Sequence, residues 1–112
     1  MIKRVSFLLF FILILSGCSH AIGRDEFKGN IQIIEQAINE NDWEKAKNNG
    51  DRLLKSYSSN KWKLQMIGDE GEYEDLYESI NRLCAAIEEK NPTQTKMELA
   101  SIQSILKEIY SL

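Results

Sequence analysis

The chain has 112 residues, which is room for one small domain and argues against a second independent core. Hydrophobic residues make up 43% and charged residues 28%, so the chain is neither a disordered polar polypeptide nor a collagen-like one. The formal charge of −3 provides no basic surface overall, which argues against nucleic acid as a partner. With a single His and two Cys, we expect a protein that is not an enzyme and needs no cofactor.

The N-terminal segment has the order of a secretory signal, with basic residues first, then a short apolar run, then small residues. Lys3 and Arg4 precede the apolar run, which covers residues 5–15. As a helix this run would span ~17 Å, well short of a hydrocarbon core of ~30 Å. We therefore expect residues 1–17 to be a cleaved signal peptide and not a permanent transmembrane helix.

Leu15, Ser16, Gly17 and Cys18 resemble the lipobox of bacterial lipoproteins. The resemblance implies that signal peptidase recognises Leu15, Ser16 and Gly17, that cleavage occurs before Cys18, and that the Cys18 sulfur receives diacylglycerol carrying acyl chains such as palmitate. Two acyl chains anchor a protein stably, where one gives only marginal binding. We expect an exported protein on the outer face of the cytoplasmic membrane; an ordinary secretory signal is the alternative.

Residues 18–24 are predicted to form a short lipidated tether. Cleavage would remove two of the 14 basic residues and none of the 17 acidic ones, leaving a formal charge of −5. Anionic headgroups should repel such an acidic domain slightly, so we expect the lipid, and not a basic patch, to hold it at the membrane.

The mature chain has helical hydrophobic periodicity and no stretch with the alternation of a half-buried strand. The pattern predicts an all-α protein with four helices, over residues 25–40, 42–67, 71–90 and 92–110. Because the connections between these amphipathic helices are short, we expect antiparallel neighbours and a small up-down helical bundle over residues 25–112.

Three capping signals separate the predicted helices. They are Asn41 with Glu44, Asp69 with Glu72, and Asn91 with Pro92 and Gln94. Gly68 is expected to end the second helix. Ala37-Ile38 before the first turn recurs as Ala86-Ile87 before the third turn, 49 residues later, which supports a division into two hairpins.

The second helix carries a seven-residue repeat typical of a coiled coil, from Trp43 to Ile67, with Asn60 as its only polar member. Trp43 is therefore expected to anchor the core. Trp62 and Met66 lie off this repeat, four residues apart. A wide apolar face favours burial of Trp62 against a neighbouring helix; the alternative is an exposed patch for an envelope protein or for self-association.

The acidic turn contains the weak candidates for metal ligands. Six carboxylates lie between Asp69 and Glu78, and Asp69, Glu70 and Glu74 are the residues a cation such as Ca²⁺ would use. Acidic residues also complement the dipole at a helix N-terminus, so we expect no metal site. The alternative, a small-ligand or divalent-cation binding module, requires a pocket lined by Trp62, Tyr57 or this turn.

The remaining reactive side chains offer no catalytic constellation. His20 is the only imidazole and lies in the predicted tether, where no fixed triad can form. Cys84 lies on an apolar helix face and is expected to behave as a small buried hydrophobe, with an intermolecular disulfide as the alternative.

Several features together resemble the bacterial family called "domain of unknown function 4363". They are the short lipoprotein signal, the segment Asp42-Trp43-Glu44-Lys45-Ala46, Trp62, the acidic turn and a closing helix over residues 99–112. The resemblance implies a helical, exported protein. In that family the acidic turn often carries a His-Glu pair, whereas this chain has Asp69 and Glu70, so no catalytic residue carries over. We expect a lipid-anchored, non-catalytic interaction or scaffold domain.

Overall fold

The computed structural model describes residues 23–110, which fold into four helices. The helices are α1 (Arg24–Asn39), α2 (Trp43–Ile67), α3 (Glu70–Glu88) and α4 (Pro92–Ile109). Each predicted helix is confirmed, with ends within two residues of those expected, and no strand occurs between residues 23 and 110. The predicted signal peptide and the tether up to residue 22 lie outside the described residues.

One hydrophobic core joins the four helices. The predicted stripe of α1 is buried throughout, with Phe27, Ile31, Ile34 and Ile38 at most 5% exposed. The other helices add apolar side chains of similar size, among them Leu53, Leu64, Leu76, Ile80, Leu83, Leu99, Ile102 and Ile109. Burial of each such side chain contributes about 1.5–3 kcal/mol, and this stabilises a domain with few buried ion pairs.

The helices pack chiefly against their neighbours along the chain. α1 lies on α2, α2 on α3, and α3 on α4, whereas α1 and α4 touch at few positions. One polar contact across that last interface joins Gln103 Nε2, the donor, to Glu35 Oε1 at 3.1 Å. The result is the predicted up-down bundle, in which the first and last helices share only a small interface.

The turn between α1 and α2 differs from the expected one at Asn41. Asn41 has φ 57°, a left-handed conformation that Asn tolerates, and its N–H donates to Ile38 O at 3.1 Å. The N–H of Asp42 donates to Ala37 O at 2.8 Å, which completes a Schellman motif. The N-cap of α2 is therefore Asp42, whose Oδ1 accepts from Lys45 N at 3.0 Å, and the prediction of Asn41 as N-cap is wrong.

The turn between α3 and α4 has the same geometry. Lys90 has φ 54°, and its N–H donates to Ile87 O at 2.9 Å while Asn91 N–H donates to Ala86 O at 3.0 Å. Asn91 Oδ1 accepts from Gln94 N at 3.1 Å, and Pro92 begins α4, as predicted. Both hairpins thus use one type of turn.

The 49-residue offset extends through both hairpins. Every buried residue of α1 has a buried counterpart in α3, in the pairs Phe27/Leu76, Ile31/Ile80, Ile34/Leu83, Ala37/Ala86 and Ile38/Ile87. α2 and α4 correspond in the same way, in the pairs Ala46/Thr95, Asn49/Glu98, Gly50/Leu99, Leu53/Ile102, Tyr57/Leu106 and Asn60/Ile109. The domain is therefore two hairpins with one burial pattern, in which most of the paired side chains differ.

The α2–α3 junction is of another kind. Gly68 ends α2 as predicted, but its backbone is extended, with φ −108°. A Cβ on Gly68 would lie 3.2 Å from Leu64 O and 3.3 Å from Ile109 Cγ1, so glycine relieves a tight approach here and does not serve a left-handed turn. Asp69 Oδ1 accepts from Glu72 N at 2.8 Å, which confirms the predicted N-cap of α3.

Candidate functional site

Trp62 and Met66 form an exposed pair on α2, which we call the outer patch. Trp62 is 59% exposed and Met66 77% exposed, so the favoured prediction of a buried Trp62 is wrong. α2 meets its neighbours through a face that includes Asn60 and Leu64. Trp62 lies two residues from each, about 200° around the helix, and therefore points away from the core.

The two ends of the α2 repeat are less buried than its centre. Trp43, at the start, is half-buried and packs against the core. Ile67, the last member of the predicted repeat, is 51% exposed. The repeat stops contacting neighbours at Leu64, and this leaves the final turn of α2 free to present apolar side chains to solvent.

Charge is distributed unevenly among the helices. α2 carries only two acidic residues, Glu44 and Asp51, and six basic ones, which we call its basic face: Lys45, Lys47, Arg52, Lys55, Lys61 and Lys63. α3 carries six acidic residues and only Arg82 as a base. The net charge of the whole chain therefore conceals a separation of basic residues on α2 from acidic residues on α3.

The basic face is free of ion pairs among residues 23–110. Its six side chains are exposed or half-buried, since they lie on the side of α2 away from the core. Lys63 Nζ lies 5.2 Å from the centroid of the Trp62 ring, in a cation–π contact. The outer patch is thus an aromatic and thioether surface flanked by unpaired ammonium groups.

The acidic turn contains the three candidate metal ligands, Asp69, Glu70 and Glu74. In the part of the chain that the structure describes, no three His, Cys, Asp or Glu side chains converge, so Asp69, Glu70 and Glu74 are not brought together. Asp69 instead caps α3. Partial burial of Glu72, followed by the nearby Asp69 carboxylate, raises the pKa of the Glu72 carboxyl.

Two clefts of the described domain lie away from the residues expected to line a ligand pocket. One of about 610 Å³ lies along the α1–α2 hairpin and is lined by Ile33, Asp42, Glu44, Lys45, Asn48, Asn49 and Arg52. Another of about 360 Å³ lies between α1 and α4 and includes Ile31 and Leu106 with three cationic side chains, those of Arg24, Lys28 and Lys107. Neither is lined by Trp62, Tyr57 or the acidic turn.

A polar cluster between α3 and α4 was missed by the sequence reasoning. Glu98 is buried, and its Oε1 accepts from Arg82 Nε and from Gln94 Nε2, each at 3.1 Å. Arg82 Nη2 also donates to Ser79 Oγ at 2.9 Å. The available signal was the position of Glu98 between Thr95 and Ile102 at helical spacing. These contacts tie two helices together and do not converge on a cleft.

Cys84 is half-buried and unpaired within residues 23–110. Burial, with a smaller contribution from the Asp51 carboxylate, raises the pKa of its thiol. Its sulfur would lie 3.4 Å from a Cβ placed on Gly50, so it packs closely against α2. The environment agrees with the expected role as a small hydrophobe.

Membrane-spanning helices and similarity to known proteins were sought for the helical domain. None of the helices described combines the length and apolarity needed to cross a membrane. No curated protein sequence and no solved structure matches the chain. The family model described as Domain of unknown function (DUF4363) matches residues 23–112, a range that holds all four helices and the two equivalent turns. The chain therefore belongs to the DUF4363 family.

Proposed function

We propose that the protein is anchored by lipid at Cys18 to the outer face of the cytoplasmic membrane and that its helical domain is a non-catalytic interaction or scaffold module. The anchor is supported by the lipobox-like residues 15–18, which follow a basic and then an apolar segment. The interaction role is supported by one observation above all, the exposure of Trp62 and Met66 on the outer side of α2.

Non-catalytic binding fits the polar groups of the domain better than catalysis does. The one imidazole, that of His20, belongs to the proposed tether. The raised pKa of Cys84 keeps its thiol protonated and weakly nucleophilic at neutral pH. The best-connected charged group, Glu98, is occupied in bonds that join α3 to α4. We assign these groups to packing.

The anchor is tested by mass spectrometry of the membrane-bound protein. We expect the N-terminal peptide to begin at Cys18 with diacylglycerol on its sulfur. A Cys18→Ser variant should release the protein from membranes, whereas Cys84→Ser, the matched control, should leave it bound. Recovery of a chain that still begins at Met1 would contradict the proposal.

The interaction role is tested by oxidative footprinting of two methionines in the same molecule. Met66 on α2 is 77% exposed and Met97 on α4 is 59% exposed, so hydrogen peroxide should oxidise both readily in the detergent-solubilised protein. In intact membranes we expect Met66 to be protected and Met97 to react as before. Equal oxidation of the two in membranes would show that the outer patch contacts nothing.

A further inference from the structure

We propose that α2 docks lengthwise on an anionic phospholipid surface, with its basic face against the headgroups and the outer patch inserted between them. This inference rests on the proposed anchor at Cys18, and it names the partner of the outer patch.

Charge complementarity supports an anionic partner. Six of the 14 basic residues of the chain lie on α2, and none of the six forms an ion pair within residues 23–110. Lysine and arginine near an anionic leaflet are each attracted measurably to it, and unpaired side chains keep this attraction in full. The same helix carries only two carboxylates, so attraction exceeds repulsion along its outer side.

The outer patch has the chemistry of a membrane interface. Tryptophan is enriched at the level of the headgroups, where its ring is embedded and its N–H stays hydrated. Lys61 and Lys63 flank Trp62, and lysine can extend its ammonium group to the phosphates while its methylene groups cover apolar surface. Trp62 and Met66, four residues apart, would enter the surface side by side.

The tether begins at the same level of α2 as the outer patch, on the opposite side of the helix. Gly23, just before α1, lies against Asn60, since a Cβ on Gly23 would be 3.4 Å from Asn60 Cγ. Asn60 is two residues from Trp62. Cys18 precedes Gly23 by five residues, which can extend ~17 Å and so exceed the ~10–12 Å diameter of a helix. The acyl chains can therefore reach a bilayer on which α2 lies.

The orientation follows from the acidic groups at the end of α2. Docking by the tip of the bundle would bring Asp69 and Glu70 against an anionic surface, at a cost in repulsion. Docking along the side of α2 presents the basic face instead. A specific protein interface needs ~800 Å² on each partner, whereas a lipid surface requires only a small inserted patch and diffuse charge, so we favour lipid over protein.

The test uses the full-length lipidated protein, with the mass of the Cys18 peptide measured in the same preparation. Trp43→Phe leaves Trp62 as the only tryptophan, and Trp62→Phe leaves Trp43 as the control. Each variant is added to phosphatidylcholine vesicles with or without phosphatidylglycerol, made with brominated acyl chains that quench nearby tryptophan. We expect quenching of Trp62 in the vesicles with phosphatidylglycerol, its reversal by salt, and little quenching of Trp43.

Charge variants test whether the anionic surface attracts the basic face of α2 in particular or lysines anywhere on the domain. Lys47→Gln, Lys55→Gln and Lys61→Gln together should lower the docked-to-undocked ratio by about fivefold for each lysine removed. Lys28→Gln, Lys96→Gln and Lys107→Gln change net charge equally on α1 and α4, and should leave Trp62 quenching unchanged. Circular dichroism of both triple variants checks that each remains helical.

The outcomes separate docking from anchoring. Lipidated protein whose Trp62 is quenched equally in neutral and anionic vesicles, or in neither, overturns docking and leaves the anchor intact. Protection of Met66 from oxidation in native membranes, without quenching of Trp62 in anionic vesicles, assigns the patch to a protein and also overturns docking. A Cys18 peptide without lipid overturns the proposed function, and docking with it.

Discussion

Asn41 and Lys90 lie 49 residues apart and adopt the same left-handed backbone conformation, with φ of 57° and 54°. Each is followed directly by the residue that caps the next helix, Asp42 in one hairpin and Asn91 in the other. The two turns are equivalent in hydrogen bonding but not in side chain, because asparagine tolerates this conformation better than lysine does. That difference gives the first prediction.

Lys90→Gly should stabilise the domain by about 1 kcal/mol, because glycine adopts the left-handed conformation without the steric cost of a Cβ. Asn41→Gly should gain less. The free energy of unfolding from urea denaturation measures both changes. Glu89→Gly is the control, since Glu89 has φ −77° and gains nothing from glycine. A loss of stability in Lys90→Gly would contradict the turn geometry.

Truncation of the two tryptophans should have unequal effects. Trp62→Ala should change the free energy of unfolding by less than about 0.5 kcal/mol, because the side chain lies on the surface. Trp43→Ala should lower the free energy of unfolding by about 1–3 kcal/mol, which is less than for a fully buried aromatic residue because Trp43 is only half-buried. Chemical denaturation of both variants in detergent, away from any membrane, checks the pair. Similar losses in the two would place Trp62 in the core.

Glu72 should make the domain less stable as pH rises. Its pKa in the folded state is raised above the ordinary value of 4.5, first by burial and then by Asp69, so folding disfavours the charged form. The penalty is absent below the unfolded pKa and complete above the folded one. Glu72→Gln should therefore melt at a higher temperature than the parent chain at pH 7, and the gap should narrow on acidification through that range. A gap that widens in acid would reverse the assignment.

Cys84 should react slowly with iodoacetamide at pH 7, because burial and Asp51 keep its thiol protonated. The rate should rise as pH approaches 9 and should exceed its folded value many-fold in denaturant. Glutathione under the same conditions provides the reference for a free thiol. Asp51→Asn should raise the rate modestly at neutral pH, since it removes the nearby negative charge. Alkylation at the glutathione rate in the folded protein would show that Cys84 is exposed.

Local patterns were enough to predict the helices and most of their boundaries. The apolar stripe of α1 and the caps at Asp69 and Asn91 depend on residues three or four positions apart, so the sequence displays them directly. The sequence pattern predicts Asn41 as the N-cap of α2, whereas the structure has Asp42 in that place. Both residue types cap helices well, and only the left-handed conformation of Asn41 decides between them. In the sequence the 49-residue offset is visible only just before the two turns, since most of the other pairs share burial and not identity.

The surface features were harder to predict. Whether Trp62 is buried depends on where neighbouring helices lie around α2, which the spacing within α2 does not determine. The basic face was hidden because its six cations are offset in the total by the acidic α3. Glu98 was overlooked because a carboxylate is seldom buried without a partner, and Arg82 and Gln94 reach it only after α3 and α4 have packed.

Packing between chain neighbours also has a consequence for how the domain assembles. Nearly all the interhelical contacts join segments that a short turn already holds together, so little loop-closure entropy opposes their formation. Domains with such local topology fold in microseconds to milliseconds. The sparse contact of α1 with α4 is the main one that brings distant parts of the chain together. It is therefore the interface we expect to form last and to open first.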